Sequence, residues 1–338
     1  MSLDKALEIV RQAMADRSVY DAMAARENEV WGTILPALES SQAKLEDVAA
    51  TEKLNANRHQ SYLIGVAREK NLRFKHGLTI GCGAGRLERA LIHDGICSSF
   101  HGIDISEKAI AVARKIAKEQ SLALTYEVTD VNFVKLPEKT FDLVAAQTSL
   151  HHILFLERVA EQVWRSLKND GYLWIHDFIG EMQWQYDSKR LSIANHLLAI
   201  LPEKFRRNKI TDTVVTEIKR PEPGSLGSPF ESIRSNEIIP VFQRWFTIDW
   251  KLEFSAFLHL VVPPGTRAAY VENDDTRALF EALLLLDHVC IQEGILQPSG
   301  GQYLMRPKPG EEASMPDSPQ SETKPPVWAA GHLGSATE

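Results

Sequence analysis

The stretch LTIGCGAGRLERALI, residues 78–92, decides the fold. An apolar run leads into glycines at Gly81, Gly83 and Gly85, and a helical face follows at Leu87, Ala90 and Leu91. Glycine permits positive φ and lets a ligand touch bare backbone. A helix N-terminus behind such a loop favours an anionic group. A dinucleotide loop has the form G-x-G-x-x-G, and its last position here is Arg86. The loop alone leaves the ligand open, and a strand-to-helix turn with no ligand is a further reading.

Outward from the loop, short apolar runs alternate with helical faces. The runs are Gly77–Ile80, Phe100–Ile103, Leu122–Val128, Phe141–Ala146 and Tyr172–Ile175. Between them, Ile110, Ala113 and Ala117, then Val159, Val163 and Leu167, recur at helical spacing. This rhythm predicts an α/β fold, a parallel sheet with helices on both faces. Ligands of such sheets lie outside the carboxyl ends of the strands. Residues 1–75 read as a helical segment, with Leu3, Leu7, Val10 and Met14 on one face. Residues 76–307 read as the sheet domain, with a cap insertion at about 178–240 and a helical insertion at about 255–295. Trp245–Leu252 alternates as a strand, Asp274–Gln292 reads as a helix, and Gln302–Met305 is a closing strand. Residues 308–338 have the composition of a disordered tail.

Of 338 residues, 44% are apolar and 25% charged, ordinary for a folded soluble chain. The net charge of −7 gives no bulk attraction to nucleic acid. No run reaches the roughly 18 apolar residues of a membrane span. Residues 1–17 lack the basic-then-apolar order of a secretory signal. Three scattered cysteines make neither a disulfide framework nor a zinc pattern, so a reducing, cytoplasmic setting is expected. Nothing in the sequence sets the oligomeric state.

Acids stand at the ends of the next two strands. Asp104, nineteen residues past Gly85, ends the second strand, where a carboxylate can accept both ribose hydroxyls. Asp130 ends the third, where a carboxylate can accept from an adenine amine; a dinucleotide fold does not need it. His151 and His152 follow the fourth strand, and His176 and Asp177 end the fifth.

With these motifs in order, LTIGCGAG, GIDIS, TDVN and FDLVAAQTSLHHI, the chain resembles the class I S-adenosylmethionine-dependent methyltransferases. The resemblance implies a seven-stranded Rossmann-like sheet and S-adenosylmethionine as cofactor. It implies cofactor contacts at Thr79, Gly81, Cys82, Gly83, Gly85, Asp104, Ile105, Asp130, Val131 and Gln147. More narrowly, GRLER (85–89), DFIG (177–180), Gln183–Trp184 and SPFESIRSNEI (228–238) resemble a branch found among bacterial glycan-biosynthesis methyltransferases. In that branch a small hydroxyl residue such as Thr79 is at home two positions before the first glycine, where other members carry an acid. Glu181 departs from the branch, which often has proline there.

The branch implies O-methylation of a sugar hydroxyl, in a nucleotide sugar or a surface glycan. A hydroxyl acceptor needs a proton acceptor, and the candidates are Asp177, His152, His176 and His151, with Asp177 preferred because it lies in the branch motif. Gln183, Trp184 and Tyr186 begin a lid that suits a sugar ring, and Arg234 can pair with an acidic acceptor or bridge Glu231 or Glu237. One histidine of the pair can equally brace its turn, and Trp184 can equally pack the insertion on the sheet. No metal site is expected, since no His-Glu-x-x-His or similar spacing occurs, although a scattered His/Asp set stays open. The alternatives are methylation of another small molecule, a cofactor-binding protein without turnover and, more distantly, a nicotinamide dehydrogenase.

Overall fold

The computed structural model describes residues 2–38, 42–55 and 63–310. The glycine loop follows β1 (Phe74–Ile80), an interior strand of a seven-stranded sheet. The other strands are β2 (Cys97–Asp104), β3 (Leu124–Val128), β4 (Phe141–Gln147), β5 (Leu167–Phe178), β8 (Phe246–Phe254) and β9 (Gly300–Pro307), with a separate hairpin of β6 (Arg207–Asn208) and β7 (Thr213–Val214). The sheet order is β3-β2-β1-β4-β5-β9-β8. The first five strands are parallel, and β9 runs antiparallel to both of its neighbours. This is the Rossmann-like class I methyltransferase architecture expected from the sequence. The closing strand differs in one respect: β9 lies between β5 and β8, and β8 is the edge.

The buried alternation of the strands sorts two cores. Leu78, Ile80, Val144 and Ala146 pack on Leu156, Val159 and Val163 on one face. Phe100, Leu143, Ala145 and Trp174 pack with Leu63, Val66 and Leu91 on the other. The helices over these faces are α4 (Leu63–Glu69), α5 (Arg86–His93), α6 (Glu107–Glu119) and α7 (Leu156–Ser166). Ser106 caps α6 by accepting from Ala109 N.

Ahead of the sheet come α1 (Ser2–Ala15), α2 (Arg17–Leu38) and α3 (Gln42–Asn55). Ala6, Val10 and Tyr20 pack on Phe155, Phe230 and Ile233, so α1 and α2 lie against the last part of the cap. The cap carries α8 (Ser188–Ile200), α9 (Glu203–Arg206) and the β6–β7 hairpin, and α10 (Ile238–Phe242) follows. Helices α11 (Leu258–Val261) and α12 (Asp274–Gln292) share a second apolar cluster with α8. The Asn273–Thr276 capping box starts α12. Among the described residues no helix is long and apolar enough to cross a membrane. Arg58 and Tyr62, which the sequence also offers for cofactor contact, and the expected tail from residue 311 onward lie outside the described residues.

Candidate active site

The register aligns the carboxyl ends of four strands. Ile80 pairs with Ile103 and Ala146, and Gln147 pairs with His176. At that edge Gly81 and Gly85 adopt φ of 63° and 74°. A Cβ at Gly81 would run into Ser149, and one at Gly85 into the Tyr126 ring. Ser149 Oγ donates to Ile80 O at 2.7 Å, which ties the β4 turn to the loop.

Asp104 sits beside this loop. One oxygen accepts from Gly83 N and the other from Ser106 N, both at 2.8 Å. Each carboxylate oxygen has two lone pairs, so each keeps one for a ribose hydroxyl. Burial raises the Asp104 carboxyl above its ordinary range, eased by those two backbone donors. Asp130 accepts from Tyr20 Oη at 2.7 Å and from Asn132 N at 2.9 Å, so α2 reaches over the position assigned to an adenine amine. Burial raises Asp130 as well, against the Tyr20 and Asn132 bonds. Val131 and Cys82 are buried along the same edge, and Thr79, Ile105 and Gln147 complete it, Thr79 fully buried and the other two half-buried.

Glu88 is fully buried in the first turn of α5. Its carboxylate oxygens and the Thr79 hydroxyl, though neighbours, make no hydrogen bond of ordinary geometry among the described residues. Burial pushes the Glu88 carboxyl up to about 7. Sequence reasoning passed over this residue, because an acid in a helix's first turn reads as a surface dipole partner. The available signal was its spacing of three from the core residue Leu91.

Past β4, a short 3-10 turn, Leu150–His152, carries the histidine pair. His151 Nδ1 bonds Asp177 Oδ1, and His152 Nδ1 lies 2.9 Å from Glu27 Oε1 of α2. Both Nε2 atoms turn toward Glu231, at 3.5 Å from Oε1 for His151 and 3.7 Å from Oε2 for His152. Ile233 N donates to His151 O, which docks the 228–238 segment on the pair. Ser228 Oγ donates to Glu27 at 2.6 Å and Trp31 Nε1 donates to it at 2.7 Å. Burial alone would depress the His151 imidazole, but Asp177 and Glu231 outweigh it and raise it. Asp177 goes the other way: burial would raise it, and the His151 bond with two backbone donors holds it below the usual carboxylate range. Four non-glycine residues around the cluster, Thr148, Gln183, Trp184 and Ser232, have φ near +50°. Such strain persists where the surroundings enforce it.

Several expected roles do not survive this geometry. Asp177 is 2% exposed, and its oxygens are taken by Ser149 N, Leu150 N, His151 and Phe178 N. It cannot meet an acceptor and instead positions His151. His176 points to the other side of the strand, among Phe254, His259 and Gln302, with burial depressing its imidazole. Gln183 is fully buried; its amide donates to Glu231 O and accepts from Gly224 N, so it braces the cap. Tyr186 and Trp184 pack in the apolar cluster of α8 and α11. Arg234 is 1% exposed and holds Glu157, Glu237 and Leu154 O, which leaves nothing for a substrate. Glu181, the departure from proline, accepts from buried Arg190 Nε at 2.9 Å, a bond that proline could not make.

The residues that share the site with His151, His152 and Asp104 are therefore Glu27, Tyr20 and Glu231. Tyr20 and Glu27 stand seven residues apart on one face of α2, a spacing that was readable. Glu231 lay within a segment quoted only for its resemblance.

Of the charged groups acting on Asp104, His152 lowers its carboxyl and Glu27, the smaller effect, raises it. Asp104's spare lone pairs suit a ribose.

Comparison with known proteins agrees. Residues 78–175 match the family described as methyltransferase domain. A ubiquinone biosynthesis O-methyltransferase of Coxiella burnetii is 30% identical over 108 residues, covering 32% of this chain and 45% of that protein. The mitochondrial arginine-hydroxylase NDUFAF5 of Homo sapiens is 35% identical over 109 residues, covering 32% of this chain and 29% of that protein. The chain thus spans less than half the length of these curated relatives. Among solved structures, the PH0226 protein of Pyrococcus horikoshii is 18% identical, with 80% of this chain and 93% of that chain covered and a TM-score of 0.41. Residues 78–175 thus resemble a methyltransferase domain, and S-adenosylmethionine is the cofactor that the loop and acids fit.

Proposed function

We propose that the chain is an S-adenosylmethionine-dependent O-methyltransferase acting on a hydroxyl of a sugar or a similarly polar acceptor. The observation that carries the hydroxyl is the His151–His152–Glu231 group beside Asp104, His151 buried and the other two half-buried, with Asp177 and Glu27 holding the imidazoles. When bound, the cofactor supplies an electrophilic methyl group. The chain's own residues do the rest. The glycine loop and Asp104 hold the cofactor's polar ends, and the cap and α2 exclude water. The His151–His152–Glu231 group takes up the charge of the hydroxyl proton. General-base assistance of this kind is worth about 10²- to 10⁴-fold.

The sugar rests on the resemblance of GRLER, DFIG and SPFESIRSNEI, and the polar lining by Glu27, His152 and Glu231 is compatible with it. The names of the relatives include an O-methyltransferase and a hydroxylase, so the shared domain is compatible with more than one reaction.

Calorimetry with S-adenosylhomocysteine and with NAD is the first test. The expected result is binding of the former alone, weakened tenfold or more by Asp104→Ala, since a hydrogen bond to a charged group is worth about 1.5–3 kcal/mol. Absence of binding to the unaltered protein would sink the reading. Product analysis on a sugar panel beside phenol and amine panels then identifies the acceptor class; methylated phenols or amines, with unmodified sugars, would overturn the sugar.

A further inference from the structure

We propose that His151, His152 and Glu231 form a site for one divalent transition-metal cation. One donor atom from each of the three lies within 4.8 Å of the others. The Nε2–oxygen separations of 3.5 and 3.7 Å fall in the range of roughly 3–4.2 Å spanned by ligands about 2.1 Å from one ion.

The orientation of the rings is the stronger argument. Each Nδ1 is held by a buried carboxylate, Asp177 for His151 and Glu27 for His152. That partner fixes the proton on Nδ1 and turns the Nε2 lone pair outward, as second-sphere carboxylates do for metal-bound histidine. Here both lone pairs face the same carboxylate, acceptor against acceptor. His152 Nε2 is buried and has no hydrogen-bond partner among the described residues. Something positive belongs between these atoms.

Protons alone answer this poorly. The ring centroids of the two histidines are 4.1 Å apart, so charging both sets two cations against each other. Three carboxylates, Glu27, Asp177 and Glu231, surround the pair, so even two protonated rings leave the group negative. A divalent ion supplies the same two positive charges with both imidazoles neutral, so no charged ring is set against another. Two imidazoles and a carboxylate select zinc, manganese, iron or cobalt over magnesium or calcium, whose partners are oxygens alone. Three protein ligands leave open positions. The sequence pointed away from a metal because the third ligand stands eighty residues from the first, outside any local motif.

Binding of the ion does not depend on the methyl-transfer reading. One consequence does rest on it: a metal-bound acceptor hydroxyl has a lowered pKa, so its proton leaves to solvent water, and His151, His152 and Glu231 then act as ligands and not as the base.

The test uses untagged full-length protein, treated with a chelator and titrated with Co²⁺ by absorption and with Zn²⁺ by calorimetry. Expected are one ion per chain, visible cobalt bands of a nitrogen–oxygen site, and affinity weakened at least tenfold by Glu231→Gln and by His152→Gln. Glu27→Gln, which removes no ligand, is expected to weaken it 10- to 100-fold. Thermal unfolding and S-adenosylhomocysteine titration of each variant separate lost ligation from lost fold. A stoichiometry well below one, or wild-type affinity in folded Glu231→Gln and His152→Gln, overturns the proposal. Metal binding without S-adenosylhomocysteine binding leaves the metal site standing and removes the methyl-transfer reading; the reverse result does the opposite.

Discussion

Replacing Asp177 by alanine is expected to destabilise the protein by about 3–5 kcal/mol, the range for removing one partner of a buried ion pair. The cause is local. Asp177 accepts from Ser149 N, Leu150 N and Phe178 N and holds His151. Alanine orphans the two turn donors and the imidazole at one stroke, and the turn that carries the histidine pair loses its anchor. Asp177→Asn separates stability from chemistry. Its amide oxygen can still serve Ser149 N and Leu150 N, but its amide nitrogen, at the position that Phe178 N also faces, presents hydrogens to His151 Nδ1 and forces the other tautomer. Turnover with the identified acceptor is expected to fall about 10²- to 10⁴-fold, with much less loss of stability than in Asp177→Ala. Denaturant titration and steady-state kinetics read the two effects. An Asp177→Asn enzyme with wild-type turnover would show that the pair does no positioning.

The second large effect is a dependence on pH that one substitution removes. Glu88 has an ordinary carboxyl pKa of 4.5 when unfolded and about 7 when folded, because burial disfavours its charge. The folded state therefore binds more protons than the unfolded state between these values. Stability linked to Glu88 is fully present below pH 4.5 and is lost as pH rises to about 7. At 1.36 kcal/mol per pKa unit the loss is on the order of 3 kcal/mol. Glu88→Gln keeps the shape and cannot ionise. It is expected to match the wild type near pH 4.5 and to exceed its stability by up to about 3 kcal/mol at pH 8. Urea unfolding at both pH values reads the difference, and a difference that stays constant with pH would count against a buried charge.

The parallel half of the sheet was legible because its signals are local. Strand and helix periods alternate from Gly77 to Ile175, and the acids at Asp104 and Asp130 follow the ends of strands. The position of β9 between β5 and β8 was not legible, since the pairing of two antiparallel strands leaves no mark in either. Side-chain roles failed where polar residues at surface-like positions proved to be buried. Gln183 and Arg234 read as substrate contacts, yet their hydrogen bonds all go to the protein. Asp177 read as a base because it ends a strand and lies in the branch motif; its partners lie on the neighbouring turn, and only the register reveals them. Glu27 and Tyr20 lie on a helix whose partners are more than a hundred residues away, beyond the reach of any local pattern.

That distance governs how the molecule comes together. Glu27 meets Ser228 across 201 residues, and Tyr20 meets Asp130 across 110. The glycine loop and Asp104, by contrast, are joined within 21 residues. Short loops close at lower entropic cost than long ones, so the glycine loop and Asp104 are expected to come together before α2 docks on Asp130 and the histidine pair. Helix α2 is made early yet closes the cleft late.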